Sequence, residues 1–322
     1  MSQRSARTTV DPYRRTVAGT VRIALARSAH DDQPQGATER QSLTARTKDL
    51  CHRYDLRAVK SLGQNFLLDE NLARKIANAA LAFRPEALLE IGPGLGAITV
   101  PLAESGLPLE AWEKDPKLAA PLGELLADYS NVALHIGDFL DAPIDVQRPT
   151  VAVGNLPYYI TTPILERLLE ARPAFVGIVV TVQKEVADRL RAAPGSEDYS
   201  SLTVYCRFFV ERVETVASLP PSVFMPRPGV DSEAVALQPR REPPEGIQDA
   251  SAFFRVVRAG FGYRRKTLRK ALTTAGIAGL DRESVDGVLG AAGIDGQRRG
   301  ETLDFGEFAA LGNALARLEA GQ

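Results

Sequence analysis

The chain has 322 residues, 44 % of them hydrophobic, and a formal net charge of −1, length enough for roughly two domains of about 150 residues each. No apolar run reaches the ~18 residues of a membrane span, Cys51 and Cys206 give neither a disulfide framework nor metal spacing, and His30, His52 and His135 fall in no ligand pattern. A membrane-spanning protein and a cystine-stapled secreted module are excluded, no metal and no histidine base are expected, and any nucleic-acid surface must come from local clusters of Arg and Lys.

Residues 1–50 stand apart. They are rich in Arg, Ser, Thr and Ala, and Asp31-Asp32-Gln33-Pro34-Gln35-Gly36 breaks any regular pattern. Such composition predicts a disordered extension or an organelle transit peptide, with a short basic amphipathic helix around Arg14, Arg15, Val17, Val21, Ile23 and Leu25 as a variant. The localisation is accordingly cytoplasmic, or organellar if the segment targets.

From about residue 51 helix and strand alternate. Asp69 can cap a helix with Leu72, Ile76 and Ala79 on one face. Ala87–Ile91 is a short apolar strand, followed by a glycine loop and a helix from about Ala97. Leu109–Glu113, Val132–Ile136 and Thr150–Val153 are the next three strands. Thr162-Pro163 opens a helix as cap and first-turn proline, and Val176–Val182 is a β-branched run suited to a strand buried on both faces. Repeated strand–helix units predict a doubly wound, Rossmann-like α/β sheet with ligands at the carboxyl ends of its strands. Pro239-Arg240-Arg241-Glu242-Pro243-Pro244-Glu245-Gly246 is a linker signature, and beyond it the pattern is helical, ending in a helix that Asp304 and Glu307 cap as a box. The expected division is an extension over 1–50, a catalytic α/β domain over 51–241 and a small all-helical domain over 242–322.

Chemistry concentrates at the strand ends. Glu90-Ile91-Gly92-Pro93-Gly94-Leu95-Gly96 lets backbone approach a ligand closely, although the same loop suits a dinucleotide or a plain tight turn. Glu113 ends the next strand, where an acid can bind ribose hydroxyls, and Gly137-Asp138-Phe139 ends the third. Asp138 can accept from an adenine amino group with Phe139 against the ring; singly, each acid is also an ordinary strand-end charge or helix cap. Gly154-Asn155-Leu156-Pro157-Tyr158 follows the fourth strand. It is a plausible turn. It is also a device for methylating an exocyclic amine: the Asn155 side-chain oxygen and the Leu156 carbonyl accept the two amine hydrogens. Pro157 holds Leu156 extended, and Tyr158 offers a face to an unstacked base. Taken together the set fits S-adenosylmethionine better than a nicotinamide cofactor.

These segments, with Leu62-Gly63-Gln64-Asn65-Phe66-Leu67, Glu113-Lys114-Asp115, Gln183-Lys184-Glu185-Val186, Pro220–Pro228, Val230-Asp231-Ser232 and Arg264-Arg265-Lys266-Thr267-Leu268-Arg269, resemble in order and spacing the ribosomal RNA small-subunit adenine N6,N6-dimethyltransferases over about residues 54–310. The resemblance implies S-adenosylmethionine as cofactor, with no metal. It implies that Gln64, Asn65 and Leu67 contact it, that Gly92 and Gly94 line its methionine end, that Glu113 binds its ribose and that Asp138 and Phe139 hold its adenine. Asn155 then touches both cofactor and target, Leu156 and Pro157 complete the catalytic turn, and Tyr158 and Phe224 sandwich the flipped adenine. The implied reaction is dimethylation of N6 on two adjacent adenosines in a hairpin loop near the 3′ end of small-subunit rRNA. The implied partner is a pre-30S-type subunit, met by a monomer with no membrane association. Tyr159 and Thr161 depart from the usual Asn and Ser, and Tyr199-Ser200-Ser201-Leu202 lacks the usual Arg, which bears on an RNA contact there.

Arg255, Arg258, Arg264, Arg265, Lys266, Arg269 and Lys270 form a basic run on a helical stretch, interleaved with Phe253, Phe254, Phe261 and Tyr263. Arg264, Arg265, Lys266, Arg269 and Lys270 are the expected phosphate contacts, which add affinity without reading sequence. Rival readings are an Erm-like large-subunit rRNA methyltransferase, a non-enzymatic assembly or transcription factor on the same fold, and a DNA adenine methyltransferase. The last lacks a recognisable target-recognition domain here.

Overall fold

The computed structural model describes residues 21–23, 41–59, 62–263, 265–277 and 281–321. Of the expected N-terminal amphipathic helix, Arg14, Arg15, Val17 and Leu25 lie outside these residues, while Val21–Ile23 forms a strand, β1. Residues 43–50, expected in the extension, are instead part of helix α1, Leu43–Arg53. The Ser42 side chain caps it at Ala45 N, and Leu43, Thr47 and Leu50 are buried. Thr44 Oγ1 donates to the Leu68 carbonyl at 3.0 Å, tying the helix to the segment that follows.

Strand β2, Phe66–Leu67, leads into helix α2, Glu70–Leu81, which Asp69 caps at Leu72 N as its sequence predicts. Strands β3 (Ala87–Ile91), β4 (Leu109–Glu113) and β5 (Val132–Ile136) follow, with helices α3 (Thr99–Ala103) and α4 (Ala119–Leu125) between them. α3 starts two residues later than expected and has one turn and a half. β6 (Thr150–Asn155) leads to α5 (Thr161–Glu170), which begins one residue before the expected Thr162 cap, so that Pro163 sits at its third position. β7 (Phe175–Gln183), α6 (Lys184–Arg191), α7 (Ser201–Phe209), β8 (Val210–Leu219), β9 (Phe224–Met225) and β10 (Ser232–Pro239) complete the α/β part. Helices α8 (Ala250–Gly262), α9 (Leu268–Thr274), α10 (Arg282–Ala292) and α11 (Phe305–Glu319) follow.

The main sheet runs β1-β5-β4-β3-β6-β7-β10-β8, and β2 pairs separately with β9. β5, β4, β3, β6 and β7 are parallel; β1, β10 and β8 are antiparallel to their neighbours. Both faces are covered, which is why the parallel strands are predominantly apolar, although Glu110 of β4 is exposed. Adjacent residues point to opposite faces. Leu88, Val151, Val179 and Ala234 join the core under α1 to α4. Leu89, Ala152, Val180 and Val235 join the core under α5, α6 and α7.

That second core continues without a break into α8–α11. Phe208 and Phe209 of α7 pack on Phe253 and Phe254 of α8, and Tyr199 OH donates to the Leu303 carbonyl at 2.8 Å. α8 and the turn at Gly300 approach so closely that a Cβ on Gly300 would lie 2.4 Å from the Gly260 carbonyl oxygen. The Pro-rich run marks the change from sheet to helices, between β10 and α8, within one continuous apolar core. The basic run is also not one helical stretch: α8 ends at Gly262 and α9 starts at Leu268, with a loop between.

Candidate active site

In the parallel part the sheet order reverses at β3, with β4 and β5 to one side and β6 and β7 to the other. Such a switch point opens a crevice beyond the carboxyl ends of the strands. A cleft of about 1000 Å³ lies there. Gln64, Asn65, Leu67, Gly92, Gly94, Glu113, Asp138, Phe139, Asn155, Leu156, Pro157 and Tyr158 all line it. Topology thus brings together five segments spread over about a hundred residues of sequence. Gly92, Gly94 and Gly96 have φ of 71°, 59° and 75°, a conformation that other residues reach only with strain. A Cβ on Gly154 would lie 2.7 Å from the Ile91 carbonyl oxygen, so the close approach of β6 to β3 beneath the cleft requires glycine.

The acids are held in three different ways. Glu113 is buried, and its two oxygens accept from Gly94 N at 3.0 Å and Asp115 N at 2.8 Å. Burial still dominates and pushes its carboxyl up to about 7, against the pull of those amides. Asp138 accepts from Leu140 N at 3.0 Å and pairs with Lys114 Nζ at 2.7 Å. Partial burial pushes its carboxyl up, but Lys114 and the Leu140 amide outweigh that and hold it below the usual range. Glu90, which sequence reasoning noted only as part of the loop motif, also lines the cleft. It is 1 % exposed, its Oε2 is without a hydrogen-bond partner among the described residues, and burial pushes its carboxyl up to about 8. Burial thus favours the neutral carboxyl, and a cationic ligand group placed beside it would draw it back to the charged form.

Gln64 lies in the cleft wall but is engaged: its Oε1 accepts from Val59 N at 2.8 Å and its Nε2 donates to Asp115 Oδ2 at 2.8 Å. It braces the N-terminal segment against the β4 loop. Asn65 accepts on its carbonyl from Asn155 Nδ2 at 2.9 Å. A carbonyl can only accept, so this bond fixes the Asn155 amide with its nitrogen on Asn65 and leaves Oδ1 as the free acceptor. Leu156 N donates to the Thr181 carbonyl at 3.1 Å. Among the described residues no hydrogen bond uses Asn155 Oδ1 or the Leu156 carbonyl. Both residues line the cleft, and these two acceptors are without a hydrogen bond among the described residues.

Tyr158 is tethered through its hydroxyl, 2.7 Å from Ser232 Oγ on β10. Ser232 is 1 % exposed, and its place in the sequence motif gave no hint of this contact, because the two residues are 74 apart. Phe224 departs from expectation. It sits on β9, paired with Leu67, and is 2 % exposed within the core rather than in the cleft lining. The pairing of β9 with β2 draws its ring inward, and the aromatic that stands at the cleft beside Tyr158 is Tyr159.

Residues 56–311 match the family described as Ribosomal RNA adenine dimethylase. The chain belongs to the ribosomal RNA adenine dimethylase family. It is 46 % identical over 283 residues to Ribosomal RNA small subunit methyltransferase A of Geobacillus kaustophilus (strain HTA426), covering 85 % of this chain and 96 % of that one. It is 44 % identical over 280 residues to the protein of the same description from Bacillus mycoides (strain KBAB4), covering 84 % and 95 %. Among solved structures, a dimethyladenosine transferase from Plasmodium falciparum superposes with a TM-score of 0.64 at 26 % identity, over 80 % of this chain and 98 % of that one. The 23S rRNA methyltransferase ErmE superposes with a TM-score of 0.57 at 30 % identity, over 78 % and 100 %. The enzyme is an rRNA adenine dimethyltransferase with a Rossmann-like fold, and its methyl donor is S-adenosylmethionine. The cleft suits that donor, which carries a cationic methionine end: the unpartnered Glu90 oxygen, the glycine loop, Glu113 and Asp138 offer an acid or a close backbone approach along its length.

Of the expected RNA contacts, Arg264 lies outside the described residues. Arg265 and Lys270 are exposed and enter no ion pair among the described residues. Lys266 lies over the Tyr263 ring, 4.8 Å from its centroid. Arg269 pairs with Asp286 at 2.6 Å, and Arg255 pairs with Glu319 through both nitrogens at 2.7 and 2.5 Å. Among the described residues no group of three or more His, Cys, Asp or Glu is placed to hold a metal ion, and no helix is long and apolar enough to cross a membrane.

Proposed function

We propose that this enzyme dimethylates N6 of two adjacent adenosines in a hairpin loop near the 3′ end of small-subunit rRNA, acting as a monomer on a pre-30S-type subunit. The small-subunit descriptions of its 44–46 % identical relatives support that target over the large subunit. The observation that carries the chemistry is the fixed Asn155 amide, held by Asn65 so that Oδ1 and the Leu156 carbonyl are the available acceptors.

Adenine N6 is a weak nucleophile because its lone pair is delocalised into the ring. Accepting both N6 hydrogens at Asn155 Oδ1 and Leu156 O favours a pyramidal nitrogen with a localised lone pair, and does so through groups oriented before substrate arrives. Pro157, at φ −61°, continues the extended course that aims the Leu156 carbonyl. Tyr158 supplies the stacking face, and Ser232 fixes its hydroxyl end. Unstacking a loop base costs a few kcal/mol, and stacking on an aromatic face returns about 1–3 kcal/mol. When bound, S-adenosylmethionine supplies an electrophilic sulfonium methyl. Glu90, Glu113 and Asp138 would receive its amino, ribose and adenine groups, with Gly92, Gly94, Asn65, Leu67 and Phe139 around them. Positioning carries most of the rate enhancement.

A second reading, transfer to large-subunit rRNA, draws on the 30 % identity to ErmE. Purified small subunits lacking the modification, with large subunits alongside, are given methyl-labelled S-adenosylmethionine, and the nucleosides are resolved by mass spectrometry. Dimethyladenosine at two adjacent small-subunit positions is expected. Label confined to the large subunit overturns the proposal.

A further inference from the structure

Among the described residues Tyr159 is the most exposed large hydrophobic side chain, at 52 %, and it stands in the wall of the catalytic cleft directly after Tyr158. Exposure of one tyrosine is common on protein surfaces. The way this one is held is less so. Its ring edge rests on the backbone of Gly63, where an added Cβ would lie 3.1 Å from Tyr159 Cδ1 and 3.4 Å from Pro157 Cβ. The Lys114 ammonium, which pairs with Asp138 at 2.7 Å, lies near its hydroxyl. The ring is therefore backed by the Gly63 segment, far from it in sequence, while half of its surface stays bare. A tyrosine has only two side-chain torsions, so such a platform is ordered at small entropic cost before any ligand arrives.

We propose that Tyr159 is a stacking platform for the nucleobase that flanks the target adenine, a subsite beside the one that receives the flipped base. The inference rests on the reading of the cleft as the entry site of that adenine. Loop RNA is recognised by splaying bases onto aromatic faces, and flipping one base removes a stacking partner from its neighbour. Tyr159 restores that contact one residue away from Tyr158, which suits two bases that are adjacent in the RNA.

The test uses the full-length protein and a hairpin RNA whose loop carries two adjacent adenosines, with 2-aminopurine placed in turn on the 5′ and the 3′ side of the target. Binding by the wild-type protein quenches the fluorescence at one of these positions. Tyr159→Ala is expected to lose that quenching and to weaken RNA binding by roughly 5- to 150-fold, while Tyr159→Phe, which keeps the ring, keeps the quenching. S-adenosylmethionine affinity, measured by calorimetry, stays at the wild-type value in Tyr159→Ala, and also reports that the variant is folded. Equal quenching and equal RNA affinity in Tyr159→Ala overturn the proposal. So does equal damage in Tyr159→Phe accompanied by weaker S-adenosylmethionine binding, which would make the tyrosine a brace for Lys114 and Asp138. Because the readout is binding, a wild-type protein that transferred no methyl to small subunits would count against the proposed function alone.

Discussion

The cleft at the sheet edge and the cationic surface of the C-terminal helices both gather charge, and they treat it in opposite ways. In the cleft Glu90 and Glu113 are buried; Glu113 is met by backbone amides, one oxygen of Glu90 has no hydrogen-bond partner among the described residues, and burial pushes Glu90 up to about 8 and Glu113 up to about 7. On the helices Arg255, Arg269 and Arg298 are each answered by a carboxylate, Glu319, Asp286 and Glu307. Partly exposed pairs of that kind add little stability, and they remove cations from the pool that can meet phosphate. A buried acid without a cation costs stability and keeps its capacity for a ligand. Charge density along the sequence is therefore a poor guide to where charge is available; the pairing decides.

The comparison predicts its largest effect where unsatisfied acceptors meet the target. Asn155→Ala should lower the rate of methyl transfer by about 100- to 1000-fold while S-adenosylmethionine still binds, as single-turnover kinetics beside a binding titration would report. Near-normal turnover would remove the amine-acceptor role.

Next comes Glu90→Gln. Both buried carboxyls have folded-state values above the ordinary 4.5. The folded chain therefore holds more protons than the unfolded chain between about 4.5 and 8, and the cofactor-free protein loses stability as pH rises through that window. Melting temperatures taken from pH 5 to pH 9 should fall for the wild type and fall less for Glu90→Gln. The same variant should bind S-adenosylmethionine roughly tenfold more weakly or worse, by loss of a charge-assisted contact. A parallel pH profile in both proteins would show that Glu90 is not the unsatisfied acid.

A smaller effect is expected at Ser232. Ser232→Ala should reduce methyl transfer about 2- to 10-fold, the worth of one hydrogen bond, without changing S-adenosylmethionine affinity. Combined with Tyr158→Phe it should add nothing further, since both remove the same bond. Additive losses would separate the two residues.

The smallest effects belong to the helices and sharpen the contrast directly. Arg265→Ala and Lys270→Ala should each lower the salt slope of RNA binding by roughly 1. Arg255→Ala should leave the slope alone and shift only the melting temperature. An equal change in slope at Arg255 would mean that its pair with Glu319 opens on RNA.

Much of the sheet is legible in the sequence. The runs at Ala87–Ile91, Leu109–Glu113 and Val132–Ile136 become strands with the same bounds, because strands covered on both faces are mostly apolar and stand out from the loops around them. β8 escapes notice because five of its ten residues, among them Glu211, Arg212 and Glu214, are exposed at the sheet edge. α1 is missed for a related reason: only Leu43, Thr47 and Leu50 of it are buried, too few to stand out in an Arg- and Thr-rich stretch. At the site, Asn155, Leu156, Glu113 and Asp138 announce themselves as residue types at strand ends. Lys114, Tyr159 and Ser232 do not, since what singles them out is a contact with a residue distant in the chain, nor does Glu90, whose burial only the packing sets. Phe224 carries the right residue type, but β9 pairs with β2 and turns it into the core.

By itself the sequence determined the alternating α/β architecture, the glycine loop, the acids that follow the strands and the amine-binding turn, because periodicity and local backbone preference act over a few residues. Only the tertiary structure decided that these loops share one cleft, that Asn65 fixes the Asn155 amide, that Ser232 holds Tyr158, and which arginines are already spent on carboxylates. Each of those facts depends on groups brought together across the fold, and the packing of the whole chain sets the distances that make an ion pair or leave an acid unpartnered.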